Sequence, residues 1–198
     1  MQFCVFDDMT QCSEQEVARL LAIVSPQRRE QALAYKHLLG QYCCLKSYEM
    51  LMDLLTSTTY TIHSTPLFHY NEYGQPRLES GPYFSISHCK KGIAVAVSEQ
   101  PIGIDIETIR DVQPGLIAKT MNDAEQTEIA AAANQNLAFT RFWTQKEACL
   151  KMIGTGIISD LKTTLVDLTK VAFQTIENVD KGYVISLAHG SIDGDDLP

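Results

Sequence analysis

Positive charge is scarce in this chain. Its 198 residues carry 16 Lys and Arg against 24 Asp and Glu, a formal net charge of −8. Non-specific nucleic-acid binding needs clustered cations to neutralise phosphates, so the composition argues against that class. A small anionic ligand needs only local charge, for which Arg28, Arg29, Lys46, Lys90, Lys91 and Lys151 are the candidates. Long apolar runs are also missing, and no stretch approaches the length of a membrane span. The first turns carry Asp7, Asp8, Glu14 and Glu16, the opposite of the basic or acid-free start of a secretory or transit segment. The expectation is a cytoplasmic protein. Among six cysteines there is no C-x-x-C pair, and the five histidines show no metal-ligand spacing. Disulfide and zinc frameworks therefore give way to reduced thiols used as small apolar residues.

What is present is ordinary globular composition, 45% hydrophobic and 20% charged, in a chain long enough for one domain or two small packed halves. Residues 2–6 read as a first strand. Ser13 and Glu16 read as a capping box opening a helix with Val17, Leu20, Leu21 and Val24 on one side. Ser25-Pro26 starts a second helical pattern that runs on through Leu33, Leu38, Leu45, Leu51 and Leu55, weakened at Gly40. From about Thr58 the texture becomes β: a strand at Thr59–Ile62, a turn at Tyr73–Arg77, strands at Phe84–Ser87 and Lys91–Val97, the last apolar enough to be central. Ser98–Pro101 punctuates the midpoint before a strand at Ile102–Glu107. Helices are expected at 114–121, 123–133 and 138–153, the last ending on Gly154, and Lys162–Leu187 is β-like again. Lys181–Leu187 echoes Lys91–Val97, a weak repeat signal that fits two similar halves joined near residue 99. Gly190–Pro198 reads as a frayed end.

Two segments carry the chemistry. In Gly103-Ile104-Asp105-Ile106-Glu107, strand alternation puts Asp105 and Glu107 on one face, about 6.5 Å apart, with Ile104 and Ile106 on the other. Side-by-side carboxylates repel and raise each other's pKa, and a divalent cation relieves that repulsion. An oxygen-only ligand set favours Mg²⁺ or Mn²⁺. The same D-x-E also fits the solvated face of an edge strand, and the flanking apolar run brings the two readings level. In Phe142-Trp143-Thr144-Gln145-Lys146-Glu147-Ala148-Cys149-Leu150-Lys151, Glu147 and Lys151 stand one helical turn apart. Taken alone they read better as an intrahelical salt bridge of about 0.3–0.5 kcal/mol. Together the segments offer three acidic ligands for a hard metal and a cation for an adjacent phosphate. Phe84–Lys91 adds Ser87 and His88 as donors to an anion, whereas a serine-hydrolase reading fails because neighbouring strand residues point apart and no G-x-S-x-G is present.

The order G-I-D-I-E followed by F-W-T-x-K-E-A-x-x-K resembles the two-part signature of the 4′-phosphopantetheinyl transferases. Gly74-Gln75-Pro76, Phe84-Ser-Ile-Ser-His88 and Ser25-Pro26-Gln27-Arg28-Arg29-Glu30 resemble that family's other marks, in the register of its surfactin-type, pseudodimeric class. The matches span residues 25–151, about two-thirds of the chain. The resemblance implies an α+β fold of two pseudo-symmetric halves, 1–98 and 99–198, each a small, mostly antiparallel sheet packed with helices. It also implies a monomeric, magnesium-dependent enzyme moving phosphopantetheine from coenzyme A to a serine of an apo acyl or peptidyl carrier protein, in fatty acid, polyketide or nonribosomal peptide synthesis. By that likeness Asp105, Glu107 and Glu147 hold the metal, Glu147 is the base and Lys151 supports the leaving 3′,5′-ADP. Arg28, Gln75, Pro76, Ser87, His88 and Lys151 meet coenzyme A, and Glu125 is a further acidic position for the metal or the base. The chain departs from the family at Gln75, often Lys, at Ser85, often Asn, and at Gln31, commonly basic. The reduced set of basic residues, at Gln75 and Gln31, motivates the alternative of a non-catalytic relative that binds coenzyme A or a carrier protein.

Overall fold

Antiparallel pairing organises both ends of this α+β chain. The computed structural model describes residues 1–57, 68–156, 161–166, 168 and 170–190. Strands β1 (Gln2–Phe6), β4 (Tyr83–Cys89) and β5 (Gly92–Ser98) form one sheet in the order β1-β5-β4. Strands β6 (Ile102–Thr108), β7 (Val171–Asn178) and β8 (Tyr183–Gly190) form another in the order β6-β8-β7. Both run first strand, last strand, penultimate strand, and all pairs are antiparallel. The two echoing Lys-Gly segments lead into β5 and β8, the middle strands. A short hairpin of β2 (Phe68–Tyr70) and β3 (Pro76–Leu78) completes the β-structure among the described residues. The expected strand at Thr59–Ile62 and the expected frayed end beyond Gly190 lie outside the described residues.

Strand alternation sorts the core into layers. Ile93, Val95 and Val97 of β5, with Phe84, face α1 (Glu14–Ile23), α2 (Pro26–Leu33) and α3 (Leu38–Ser57). On the other side of the sheet, Ala94 and Ala96 meet Ile102, Ile104, Ile106, Ile185 and Leu187 of the second sheet. Helix α6 (Gln135–Ile153) covers the far face of that second sheet, flanked by α4 (Pro114–Thr120) and α5 (Asp123–Ala131). Burying apolar side chains in these layers, 34 of them among the described residues, is the main stabilising contribution. Among the described residues no helix is long and apolar enough to cross a membrane.

Several boundaries differ from the sequence reading for physical reasons. Ser13 caps α1 as expected, but the Glu16 carboxylate turns to Arg19 rather than back to the cap, leaving half a capping box. The long helix expected from Pro26 to Leu55 is two helices. The chain turns at residues 34–37, and the Tyr35 ring folds over Gly40, where an added Cβ would lie 2.6 Å from ring carbon Cδ1. Gly40 is thus a seat for Tyr35 rather than a weak point in one helix. Helix α6 starts at Gln135, three residues early, because Asn134 caps it by accepting from the Leu137 N–H. The described residues of 161–166 form turns, so the second β region starts at Val171.

Strand β6 sits at the edge of its own sheet rather than at its centre. It is nevertheless buried, because it lies against β4, whose Ser85 hydroxyl accepts the Ile104 N–H at 3.0 Å. On its other face, α6 crosses so closely that a Cβ at Gly103 would stand 1.8 Å from the Ala148 carbonyl oxygen. Only a residue without a side chain permits that approach. Gly103→Ala should therefore push α6 off β6 and cost about 1–3 kcal/mol or more, read from the denaturant midpoint.

Candidate active site

Because α6 lies so close to β6, side chains of its last turns reach the β6 carboxylates. Lys151 Nζ donates to Asp105 Oδ1 at 2.7 Å and to Ser87 Oγ at 2.9 Å. Ser87 Oγ donates in turn to Asp105 Oδ1 at 2.7 Å, closing a triangle across β4, β6 and α6. Asp105 and Ser87 are both buried, while Lys151 is partly open to solvent. The intrahelical salt bridge between Glu147 and Lys151 does not form: Lys151 is drawn across to β6 instead.

Glu147 is left in an unusual position. Its Oε1 is buried without a hydrogen-bond partner among the described residues, a costly state for a carboxylate oxygen. Burial pushes its pKa up, Asp105 and then Glu107 push the same way, and Lys151 opposes them. Glu107 Oε1 accepts the Thr108 N–H at 2.7 Å. Three carboxylates thus share one field, yet no group of three His, Cys, Asp or Glu side chains stands close enough to hold a metal ion among the described residues. The three acids expected as metal ligands stand instead as an Asp105–Lys151–Ser87 triangle with Glu107 and Glu147 beside it. The donor chemistry still fits a hard divalent cation: all donors are oxygens, one is orphaned, and Asp105 and Glu107 disfavour the charge of Glu147.

A second region adjoins the triangle. A cleft of about 560 Å³ is lined by residues that include Arg28, Gln31, Tyr70, Pro76 and His88. The Arg28 guanidinium lies over the Tyr48 and Phe68 rings at 5.2 and 5.6 Å, and no carboxylate pairs with it among the described residues. His88 is solvent-accessible at the cleft, but crowding by the surrounding atoms and then the Lys151 ammonium lower its pKa, against the opposing pull of Asp105. Its ring nitrogens are hydrogen-bonding groups at the edge of the cleft. Ser87 lies on the charged triangle rather than among the cleft-lining residues, and its hydroxyl is already committed there.

Two predicted site residues have other occupations. Gln75 Nε2 donates to the Lys151 carbonyl oxygen at the end of α6. Glu125 closes a capping box on α5 and pairs with Lys146 Nζ at 2.8 Å, Lys146 being fully buried and also donating to the Leu161 carbonyl. None of Glu125's partners belongs to the triangle. Sequence reasoning named Ser85 only as a departure from the family's motif and not for its hydrogen bond to β6, though its place two residues before Ser87 on an alternating strand was a usable signal. It also missed Asn71, whose N-E-Y-G run is a turn signal, and Tyr70, which nothing in its local sequence marks.

A family model described as 4′-phosphopantetheinyl transferase superfamily matches residues 101–197, which hold β6, α6 and the three carboxylates. The 4′-phosphopantetheinyl transferase Gsp of Aneurinibacillus migulanus is 31% identical over 136 residues, 68% of this chain and 54% of that relative. The 4′-phosphopantetheinyl transferase Sfp of Bacillus subtilis is 27% identical over 173 residues, 85% of this chain and 77% of that relative. The chain belongs to this superfamily. A shorter match, 39% over 83 residues, joins it to enterobactin synthase component D of Escherichia coli, with 40% of each chain covered. The match to Gsp spans about half of that relative's length, whereas the match to Sfp spans most of it.

Two predictions separate structural from site acids. Glu125→Leu leaves the Lys146 ammonium buried and unpaired, and should cost about 3–5 kcal/mol in equilibrium unfolding. Glu147 behaves oppositely, because its carboxyl is favoured in the folded state only when neutral. That contribution is full below the unfolded carboxylate pKa and is lost as pH rises through the raised folded value. In EDTA at pH 7, Glu147→Gln should therefore raise Tm, with the gain shrinking toward about pH 4.

Proposed function

We propose that this protein is a 4′-phosphopantetheinyl transferase. It moves the phosphopantetheine group of coenzyme A to the serine hydroxyl of an apo acyl or peptidyl carrier protein and releases 3′,5′-ADP. The observation that carries this reading is the Lys151–Asp105–Ser87 triangle beside the partnerless Glu147 Oε1: a cation for a phosphate and a buried proton acceptor, within one superfamily signature. The two halves, 1–98 and 99–198, meet at this site in the proposed pseudo-symmetric arrangement, and the enzyme acts as a monomer.

In the reaction the serine oxygen attacks the phosphorus that bears the pantetheine arm. A serine O–P bond forms and the bridging P–O bond to 3′,5′-ADP breaks. Glu147 takes the serine proton, helped by a pKa that burial and Asp105 raise above the ordinary carboxylate range. Lys151 neutralises charge on the departing phosphate, for which it exchanges its contact with Asp105. Asp105, Glu107 and Glu147 would hold Mg²⁺, or Mn²⁺, which when bound supplies charge neutralisation at the pyrophosphate. Arg28 and His88, with Pro76, line the cleft that receives the nucleotide end. Positioning of the two reactants supplies much of the rate.

Incubation with an apo carrier, coenzyme A and Mg²⁺ should give a phosphopantetheine-sized mass gain on the carrier, abolished by EDTA. Lys151→Ala and Asp105→Ala should each lower the transfer rate about 10²–10³-fold while preserving the fold. Coenzyme A binding with no mass gain on any of several carriers would instead identify a binding protein.

A further inference from the structure

The β2–β3 turn grips the last turn of α6. A helix ending at Ile153 leaves its final carbonyls without intrahelical donors. Gly154 N–H takes the Leu150 carbonyl at 2.8 Å in the left-handed C-cap. The next carbonyl, that of Lys151, accepts from Gln75 Nε2. The carbonyl of Gly154 accepts from Asn71 Nδ2 at 2.8 Å. Both donors come from one turn, which is closed on itself: Asn71 Oδ1 accepts the N–H groups of Tyr73 at 3.0 Å and Gln75 at 2.8 Å. The fit leaves little slack. A Cβ at Gly154 would stand 2.5 Å from Gln75 Oε1 and 3.3 Å from Asn71 Nδ2.

The residue whose carbonyl is held is the same residue whose ammonium bridges Asp105 and Ser87. We propose that Gln75, with Asn71, is a positioning residue that sets the axial and rotational placement of the Lys151 side chain through the end of α6, and is not a ligand of coenzyme A. This rests on the transferase reading only for its kinetic consequence. The physical claim, that the turn immobilises Lys151, is independent of any activity. Turning the Gln75 amide into the cleft to face a ligand would take its N–H from the α6 carbonyl, orphaning a helix-terminal acceptor.

The test uses Gln75→Met, which keeps length and removes the donor, and Asn71→Ala, each checked for an unchanged circular dichroism spectrum. First, lysines are acylated competitively in the free protein and read by mass spectrometry, with exposed Lys90 as internal reference. Lys151 should label severalfold faster in either variant than in the wild type. Second, steady-state transfer should show kcat reduced about tenfold with the KM for coenzyme A within twofold of wild type. The two substitutions should combine less than additively, because they loosen one turn. An unchanged Lys151 labelling rate overturns the proposal, as does a raised KM for coenzyme A with kcat retained. If the wild type transfers nothing, the function proposed above falls, and the labelling arm alone decides this one.

Discussion

Backbone lies against backbone where α6 crosses β6 at Gly103, with no side chain between them. Helices ordinarily stand off a sheet by the thickness of the side chains on both surfaces. Here the missing Cβ draws the Ala148 carbonyl and the Met152 N–H into contact with the strand. Lys151, one residue before Met152, is thereby brought down onto Asp105, two residues beyond Gly103 on the same strand face. The site follows from this one approach distance. Ser85 and Ser87 do the equivalent on the other side, where small hydroxyl residues let β4 close on β6 and hydrogen-bond to it.

Once the approach is fixed, electrostatics determines how the charged groups arrange themselves. A single ammonium faces three carboxylates, and it stays within hydrogen-bond reach of Asp105 and the Ser87 hydroxyl. Glu107 falls back on a backbone N–H, and Glu147 has no partner for one oxygen. Such a state raises the energy of the native protein, and in the proposed mechanism it keeps a basic carboxylate near the reacting groups, a pattern common to functional sites. The contrast with Glu125 is instructive. Its carboxylate has a matched cation in Lys146 and accepts the Asn122 N–H, whereas the sequence offered it only as a further acidic position beside the signature residues.

The strands, their alternation and the two chemical segments were legible in the sequence because periodicity and local spacing encode them. Asp105 and Glu107 share a face as alternation requires, and Gly154 caps α6 as its position suggested. The edge placement of β6 was not legible, because an apolar strand buried by its own sheet and one buried by a second sheet read alike. The break between α2 and α3 was hidden for a similar reason. Gly40 looks like a flaw until the Tyr35 ring is seen to occupy the space a Cβ would fill. Nor could spacing reveal that Lys151 would choose Asp105 over Glu147: the intrahelical pair is close in sequence, but the cross-element pair is more buried and shares a third partner.

The shortage of cations with which the sequence began now has a spatial meaning. An anion approaching an acidic protein is repelled by the surface as a whole, so attraction must come from groups whose charge is not cancelled locally. Arg28 meets that condition, since its guanidinium rests on two aromatic rings and, among the described residues, neither pairs with a carboxylate nor shares the cleft lining with an Asp or Glu. Lys151 meets it conditionally. Its charge is engaged by Asp105, and the ammonium would become available to a phosphate if another cation took over that carboxylate. In the proposed mechanism, metal and phosphate would therefore reinforce one another through Asp105, each easing the arrival of the other. A chain with few basic residues can bind a highly anionic substrate in this way, because its cations are released where and when the substrate's charge arrives.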